Sequence, residues 1–239
     1  MSEISRLVAS AAIQHAEAEF PREACGLVIV QRGREVYVPC RNAATAPGEQ
    51  FVLPAEDFVA ASERGEVVAV VHSHPNASAE PSEADLVACE ASGLPWHIVG
   101  IPSGVWRSIK PSGYRAPLVG RQFHHGILDC YTLMRDAYSE FLNITLPDYR
   151  REDNWWNNGG NLYLDHFENV GFVQVPAESL REYDGLLMQV ASPVPNHAAM
   201  YLGDNVILHH VAGRLSSRDV YGGYWMKHTT HVLRHKSRL

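Results

Sequence analysis

Residues 66–85 read EVVAVVHSHPNASAEPSEAD, and the fold of the first half turns on them. Glu66–Val71 is a short apolar run bounded by polar residues, the composition of a buried β-strand. His72 and His74 directly follow it. Residues i and i+2 of an extended chain point to one face, so both imidazoles can converge on one ion. Ser82 then opens a predicted helix over 82–91, ended by Gly93. Asp85 sits one turn into that helix and can supply an oxygen. Two His nitrogens and one carboxylate leave the fourth position of a tetrahedral zinc ion open, as catalytic zinc sites require. Glu23, at the mouth of a predicted strand 26–30, is a candidate general base. A plainer reading stands beside this one: Ser82 and Asp85 as a helix cap, and the two histidines as solvated residues at a strand end.

Outward from this stretch, residues 3–18 read as an amphipathic helix. Strands are predicted over 26–30 and 35–39 around a Gln31–Arg34 turn, with a helix over 54–63 and strands over 96–101 and 105–109. Residues 110–117, KPSGYRAP, read as the linker. The chain has 239 residues, of which 46% are hydrophobic and 20% charged, enough apolar material for a core. A net charge of −7 gives no basis for a nucleic-acid partner. No apolar run reaches the length of a membrane span, and the N-terminus lacks signal-peptide features. The four cysteines form no CxxC pair, so a reducing compartment is expected. The 13 histidines are the unusual count.

Glu23, His72-Ser73-His74, Ser82 and Asp85 match every position of the pattern Glu…His-Ser-His-x7-Ser-x2-Asp. The first half thereby resembles the JAMM (MPN+) metallopeptidases, and Pro21–Leu27 resembles that family's glutamate segment. The resemblance implies a cytidine-deaminase-like α/β sandwich over residues 1–112. It implies one zinc ion held by His72, His74 and Asp85, with Glu23 as acid and base. Ser82 would help hold the carbonyl oxygen, and the reaction would be amide or isopeptide hydrolysis.

The second half starts over. Cys130–Leu142 reads as a helix with Asp129 as its N-cap. Cys130, in the first turn, lies where unpaired N–H groups favour a thiolate. Strands are predicted over 185–191, 197–202 and 206–211, with helix over 162–169 and a short strand over 231–234. Paired antiparallel across the Gly203-Asp204-Asn205 turn, the middle two would bring His209 near His197, making a nucleophile, base and orienter. Taken singly, Cys130 also reads as a buried structural thiol, and Trp155 and Trp156 as pins of a loop.

Asp129-Cys130, His197-Ala198-Ala199-Met200-Tyr201-Leu202-Gly203 and His209 resemble the NlpC/P60 cysteine peptidases, a papain-like fold, over residues 118–239. His209 matches the third polar residue; His210 fits the spacing less well. Tyr131 departs from the serine that follows the cysteine in many wall-cleaving members. The order of the two domains, joined by a linker over 113–117, resembles the tail-tip assembly proteins of lambda-like siphophages and their prophages. That likeness implies other tail-tip proteins as partners, and peptidoglycan or a tail protein as substrate. It also implies assembly in the host cytoplasm, with the virion tail tip as a second location. Either two peptidases or a chaperone-like assembly factor fits it; an isopeptidase for ubiquitin-like modifiers would use only the first domain.

Overall fold

The computed structural model describes residues 4–239, and the chain divides into two compact units between Arg115 and Ala116. The predicted helix over 3–18 begins at Glu3, outside the described residues; the observed helix α1 spans Arg6–Glu19, capped by the Ser5 hydroxyl.

In the first unit α1 is followed by β1 (Cys25–Gln31), β2 (Arg34–Cys40), α2 (Ala55–Ser62), β3 (Glu66–Pro75), α3 (Glu83–Ser92), β4 (Trp96–Ile101) and β5 (Trp106–Ile109). The sheet order is β2-β1-β3-β4-β5. Among the described residues only β3 and β4 of this sheet run parallel, joined by α3 as the crossover that parallel strands need. Alternation along the strands sorts two cores. Val28, Ala69 and Val71 pack with Val8 and Ala12 of α1. Cys25, Leu27, Ile29 and Val70 pack with Ala61 of α2 and Cys89 of α3 on the other face. Each such fully buried aliphatic side chain contributes about 1.5–3 kcal/mol.

Parity along β3 therefore places His72 on the α3 side with Val70. The strand does not stop before the histidines. It runs on through Pro75, because His72, Ser73 and His74 stay in register with Ile98, Val99 and Gly100 of β4. The histidines are thus fixed sheet residues rather than a solvated strand end.

In the second unit α4 (Cys130–Leu142) and α5 (Leu162–His166) precede β6 (Phe172–Val175), β7 (Gly185–Met188), β8 (His197–Tyr201), β9 (Val206–His209), β10 (Ser217–Val220), α6 (Gly223–His228) and β11 (Thr229–His235). The sheet runs β10-β9-β8-β7-β11-β6, with antiparallel neighbours. Leu133, Met134 and Ala137 of α4 pack on Ala198, Met200 and Leu208 on one face. Leu186, Ala199 and Ile207 face Tyr221 and Trp225 on the other.

Three expectations needed correction here. The strand predicted over 185–191 ends at Met188, where Val190 turns to pair with the Asn196 side chain. Helix α5 stops at His166, short of residue 169. β6, β10 and α6 were not anticipated: β10 is Ser-Arg-Asp-Val, a polar edge strand without apolar alternation, and α6 begins at a glycine.

Candidate functional site

In the first unit, β3 and the first turn of α3 bring three ligand atoms together. His72 Nε2 and His74 Nε2 lie 3.1 Å apart, and Asp85 oxygens lie 3.2 Å from His72 Nε2 and 3.4 Å from His74 Nε2. Ligands about 2.0–2.2 Å from a tetrahedral zinc ion stand roughly 3.3–3.6 Å apart. Two ring nitrogens and a carboxylate oxygen at these separations can hold a metal ion. The surroundings orient each ligand. His74 Nδ1 is 2.8 Å from the Ser78 carbonyl, an arrangement that places the proton on Nδ1 and the lone pair on Nε2. His72 is fully buried, stacked on Phe51 and edge-on to Trp96, and its Nδ1 has no hydrogen-bond partner among the described residues.

The electrostatics follow from burial and pairing. Burial lowers the His72 pKa, against the pull of Asp85. For His74 burial is outweighed by Asp85 and the Ser78 carbonyl, and its pKa rises. Burial works against ionised Asp85 as well, but hydrogen bonds from both histidines hold its carboxyl well below the usual carboxylate range. Glu23, buried just ahead of β1, is pushed up to about 7, chiefly by burial; His74 opposes the shift and Asp85 adds to it.

Ser82 and Asp85 are a helix cap and part of the cluster at once. The Ser82 hydroxyl accepts from Asp85 N, and Asp85 Oδ2 accepts from Ser82 N. The hydroxyl also donates to Asp85 Oδ2 at 2.7 Å, so its hydrogen is committed to the carboxylate here. The two readings of this tetrapeptide are therefore not exclusive: the cap fixes the rotamer that aims Asp85 at the histidines.

In the second unit Cys130 opens α4 behind the N-cap Asp129, whose Oδ1 accepts from Thr132 N. Arg151 clamps Asp129 at 2.6 Å, and both side chains are buried. The Cys130 sulfur lies 3.2 Å from the Tyr163 hydroxyl. Cys130, His197, His210, Trp156 and Trp225 line one cavity of about 180 Å³. Burial, with Asp129 next, pushes the Cys130 thiol up to about 11, in the opposite direction to the helix terminus. Cys130 itself is only partly buried, at the wall of the cavity.

β8 and β9 pair antiparallel as anticipated, with Ala199 opposite His209. His197 Nε2 lies 3.1 Å from His209 Nδ1. His197 is pushed down to about 3, first by burial and then by His209 and His210. Sequence reasoning missed Asp219 of β10, whose Oδ2 lies 3.0 Å from His209 Nε2. Its signal was weak: one aspartate in a polar stretch that pairs in register with β9 only once the sheet is assembled. His210, next to His209, is buried with both ring nitrogens outside hydrogen-bonding geometry and its ring edge-on to Phe123.

Comparison with known proteins gives a consistent picture. Residues 5–111 match Prok-JAB, the prokaryotic homologs of the JAB domain, and residues 120–234 match the NlpC/P60 family. The tail tip assembly protein K of Escherichia phage N15 is 43% identical over 228 residues, covering 95% of this chain and 93% of that protein. Its counterpart in Escherichia phage lambda is 44% identical over 185 residues, covering 77% and 90%. A JAB1/MPN domain protein from Archaeoglobus fulgidus is 23% identical, covering 48% of this chain and 93% of that one, with a TM-score of 0.33. The fold is mixed α/β, a JAB-like unit followed by an NlpC/P60 unit.

Proposed function

The chain belongs to the tail tip assembly protein K family, and from that premise we propose that it acts in assembly of a phage tail tip as a protein with two hydrolytic heads. The heads are assigned to residues 1–112 and 118–239, joined by 113–117. The observation that carries this reading is the convergence of His72, His74 and Asp85 within 4.8 Å, with Glu23 close enough for its carboxyl to feel His74 and Asp85.

The first head is an amide or isopeptide hydrolase with one zinc ion held by His72, His74 and Asp85. Bound there, zinc supplies Lewis acidity and brings the pKa of water to about 7. Glu23 takes a proton at neutral pH and returns it to the leaving amine, a task that suits a carboxyl near 7. Ser82 turns its hydroxyl from Asp85 toward the carbonyl oxygen as charge develops there.

The second head is a cysteine endopeptidase. Cys130 attacks the scissile carbonyl, His197 takes the thiol proton and returns it to the leaving amine, and His209 orients His197. The substrate class is a stem peptide of peptidoglycan or a tail protein. Other tail-tip proteins are its partners, and the host cytoplasm is its place of work during assembly. Among the described residues no helix is long and apolar enough to cross a membrane.

The test is mass spectrometry of peptidoglycan digests, and of co-expressed tail proteins, made with wild type, Cys130→Ala and His72→Ala. Cleavage products lost in one variant and kept in the other assign the bond to a head. No cleavage by wild type of either substrate overturns the hydrolytic reading. A purely structural role is supported by the names of both relatives, which speak of assembly alone. It requires that a Glu23→Gln, Cys130→Ala double variant still yields infectious tails.

A further inference from the structure

The hydrogen-bonded row that begins at β10 has a direction. Asp219 stands at one end, its Oδ2 3.0 Å from His209 Nε2 and its Oδ1 accepting from the Ser217 hydroxyl at 3.1 Å. Arg214 approaches the same Oδ2 at 4.0 Å. An ionised carboxylate accepts and cannot donate. Hydrogen bonds from His209 and Ser217 hold Asp219 ionised against the opposing effect of burial. His209 Nε2 must therefore carry a hydrogen and donate it to Asp219.

Burial lowers the His209 pKa, so the ring is neutral and has one hydrogen to place. With that hydrogen on Nε2, Nδ1 of His209 is bare. The 3.1 Å contact between His209 Nδ1 and His197 Nε2 is then a hydrogen bond in which His197 Nε2 donates. His197 is neutral too, so its lone pair is left on Nδ1. Trp225 meets the His209 ring edge-on at 4.5 Å and lies tilted against His197 at 5.6 Å, which holds both rings in this arrangement. His197 lines the cavity that also holds the Cys130 sulfur.

We propose that Asp219 is a positioning residue: acting through His209, it fixes the tautomer of His197 so that Nδ1 carries the lone pair that takes the Cys130 proton. This rests on the cysteine-peptidase reading of the second unit. In the step itself the S–H bond breaks, the proton goes to His197 Nδ1, the electron pair on sulfur forms the new C–S bond, and the C=O π bond breaks with its pair moving onto the carbonyl oxygen. The imidazolium keeps its Nε2–H on His209, whose Nε2–H stays on Asp219, so no further proton moves. The row is thus a device for orientation, with the negative end a quarter exposed at the sheet edge.

Asp219→Asn tests this, because the amide can donate where the carboxylate cannot. An amide N–H turned to His209 Nε2 forces the His209 hydrogen onto Nδ1, which then donates to His197 Nε2 and moves the His197 hydrogen onto Nδ1. The readout is the imidazole ¹⁵N spectrum of the full-length, histidine-labelled protein at neutral pH. Wild type should show His197 as Nε2–H with bare Nδ1, and Asp219→Asn should invert it. Alkylation of Cys130 by iodoacetamide at neutral pH should slow in that variant by about 10²–10⁴-fold, the usual worth of a positioned base. Wild type with the hydrogen on His197 Nδ1, or an unchanged His197 tautomer in folded Asp219→Asn, overturns the proposal. Should that variant fail to fold, the wild-type spectrum still decides. Absence of peptide cleavage by wild type removes the peptidase reading and leaves the tautomer result standing, so the two failures are distinguishable.

Discussion

His72 Nε2 and His74 Nε2 stand 3.1 Å apart, both aimed at the carboxylate of Asp85. This spacing arises because alternate residues of one strand share a face, and because α3 delivers its first turn to that face. A divalent ion would satisfy all three groups at once. Purified protein is expected to bind about one zinc ion per chain. At a hundredfold excess over Kd the ion should add about 2.7 kcal/mol of stability. Calorimetric titration and metal analysis check this. His72→Ala and Asp85→Asn should each lose the bound ion, and a variant that keeps full stoichiometry would remove these residues from the ligand set.

Glu23→Gln should separate binding from chemistry. The amide keeps the size of the side chain but cannot take a proton. Zinc stoichiometry should be unchanged while amide hydrolysis by the first head falls about 10²–10⁴-fold. Single-turnover kinetics on whichever substrate the digest assay identifies give the comparison. Equal rates for the two proteins would exclude Glu23 as the base.

Arg151 and Asp129 form a buried pair behind the Cys130 helix, at 2.6 Å. Removing the guanidinium leaves a carboxylate without its counter-charge in a dry site. Arg151→Met should therefore cost about 3–5 kcal/mol, the usual penalty for breaking one side of a buried pair. Chemical denaturation of the second unit measures it. A loss below 1 kcal/mol would mean that Asp129 reaches water or another donor when Arg151 is gone.

Acid should weaken the second unit through His197. Its folded pKa is about 3, against an ordinary value of 6.5, so the unfolded chain binds the extra proton first. The contribution of the neutral, buried ring is fully present above pH 6.5 and is lost as pH falls from there toward 3. Thermal melts across this window should show a falling Tm, with a shallower slope in His197→Gln. Identical slopes would show that other groups carry the acid response.

The thiol behaves in the opposite sense. With the folded pKa of Cys130 raised from 9.0 to about 11, stability owed to the neutral thiol is present below 9 and lost as pH rises through 11. Iodoacetamide labelling of Cys130 should keep accelerating above pH 9, and a plateau already reached at pH 7 would contradict the burial argument.

The amino-acid sequence by itself determined most elements and which polar side chains were candidates for each site. Apolar alternation along 26–30 and 66–71 marks strands whatever they pack against. The spacings His72-Ser73-His74 and Ser82 to Asp85 place donors on a shared face through local geometry alone. Asp129 ahead of Cys130 caps a helix by the same short-range rules. Tertiary structure decided what depends on neighbours far along the chain. β3 continues through both histidines because β4 is beside it. The Cys130 thiol is pushed up by burial and by Asp129, surroundings that the folded chain supplies. Asp219 faces His209 because an edge strand of polar residues pairs with β9, and edge pairing is driven by backbone hydrogen bonds that leave no hydrophobic pattern to read. Local periodicity reports which way a side chain points; desolvation and long-range register, which set charge state and partner, exist only once the chain has folded.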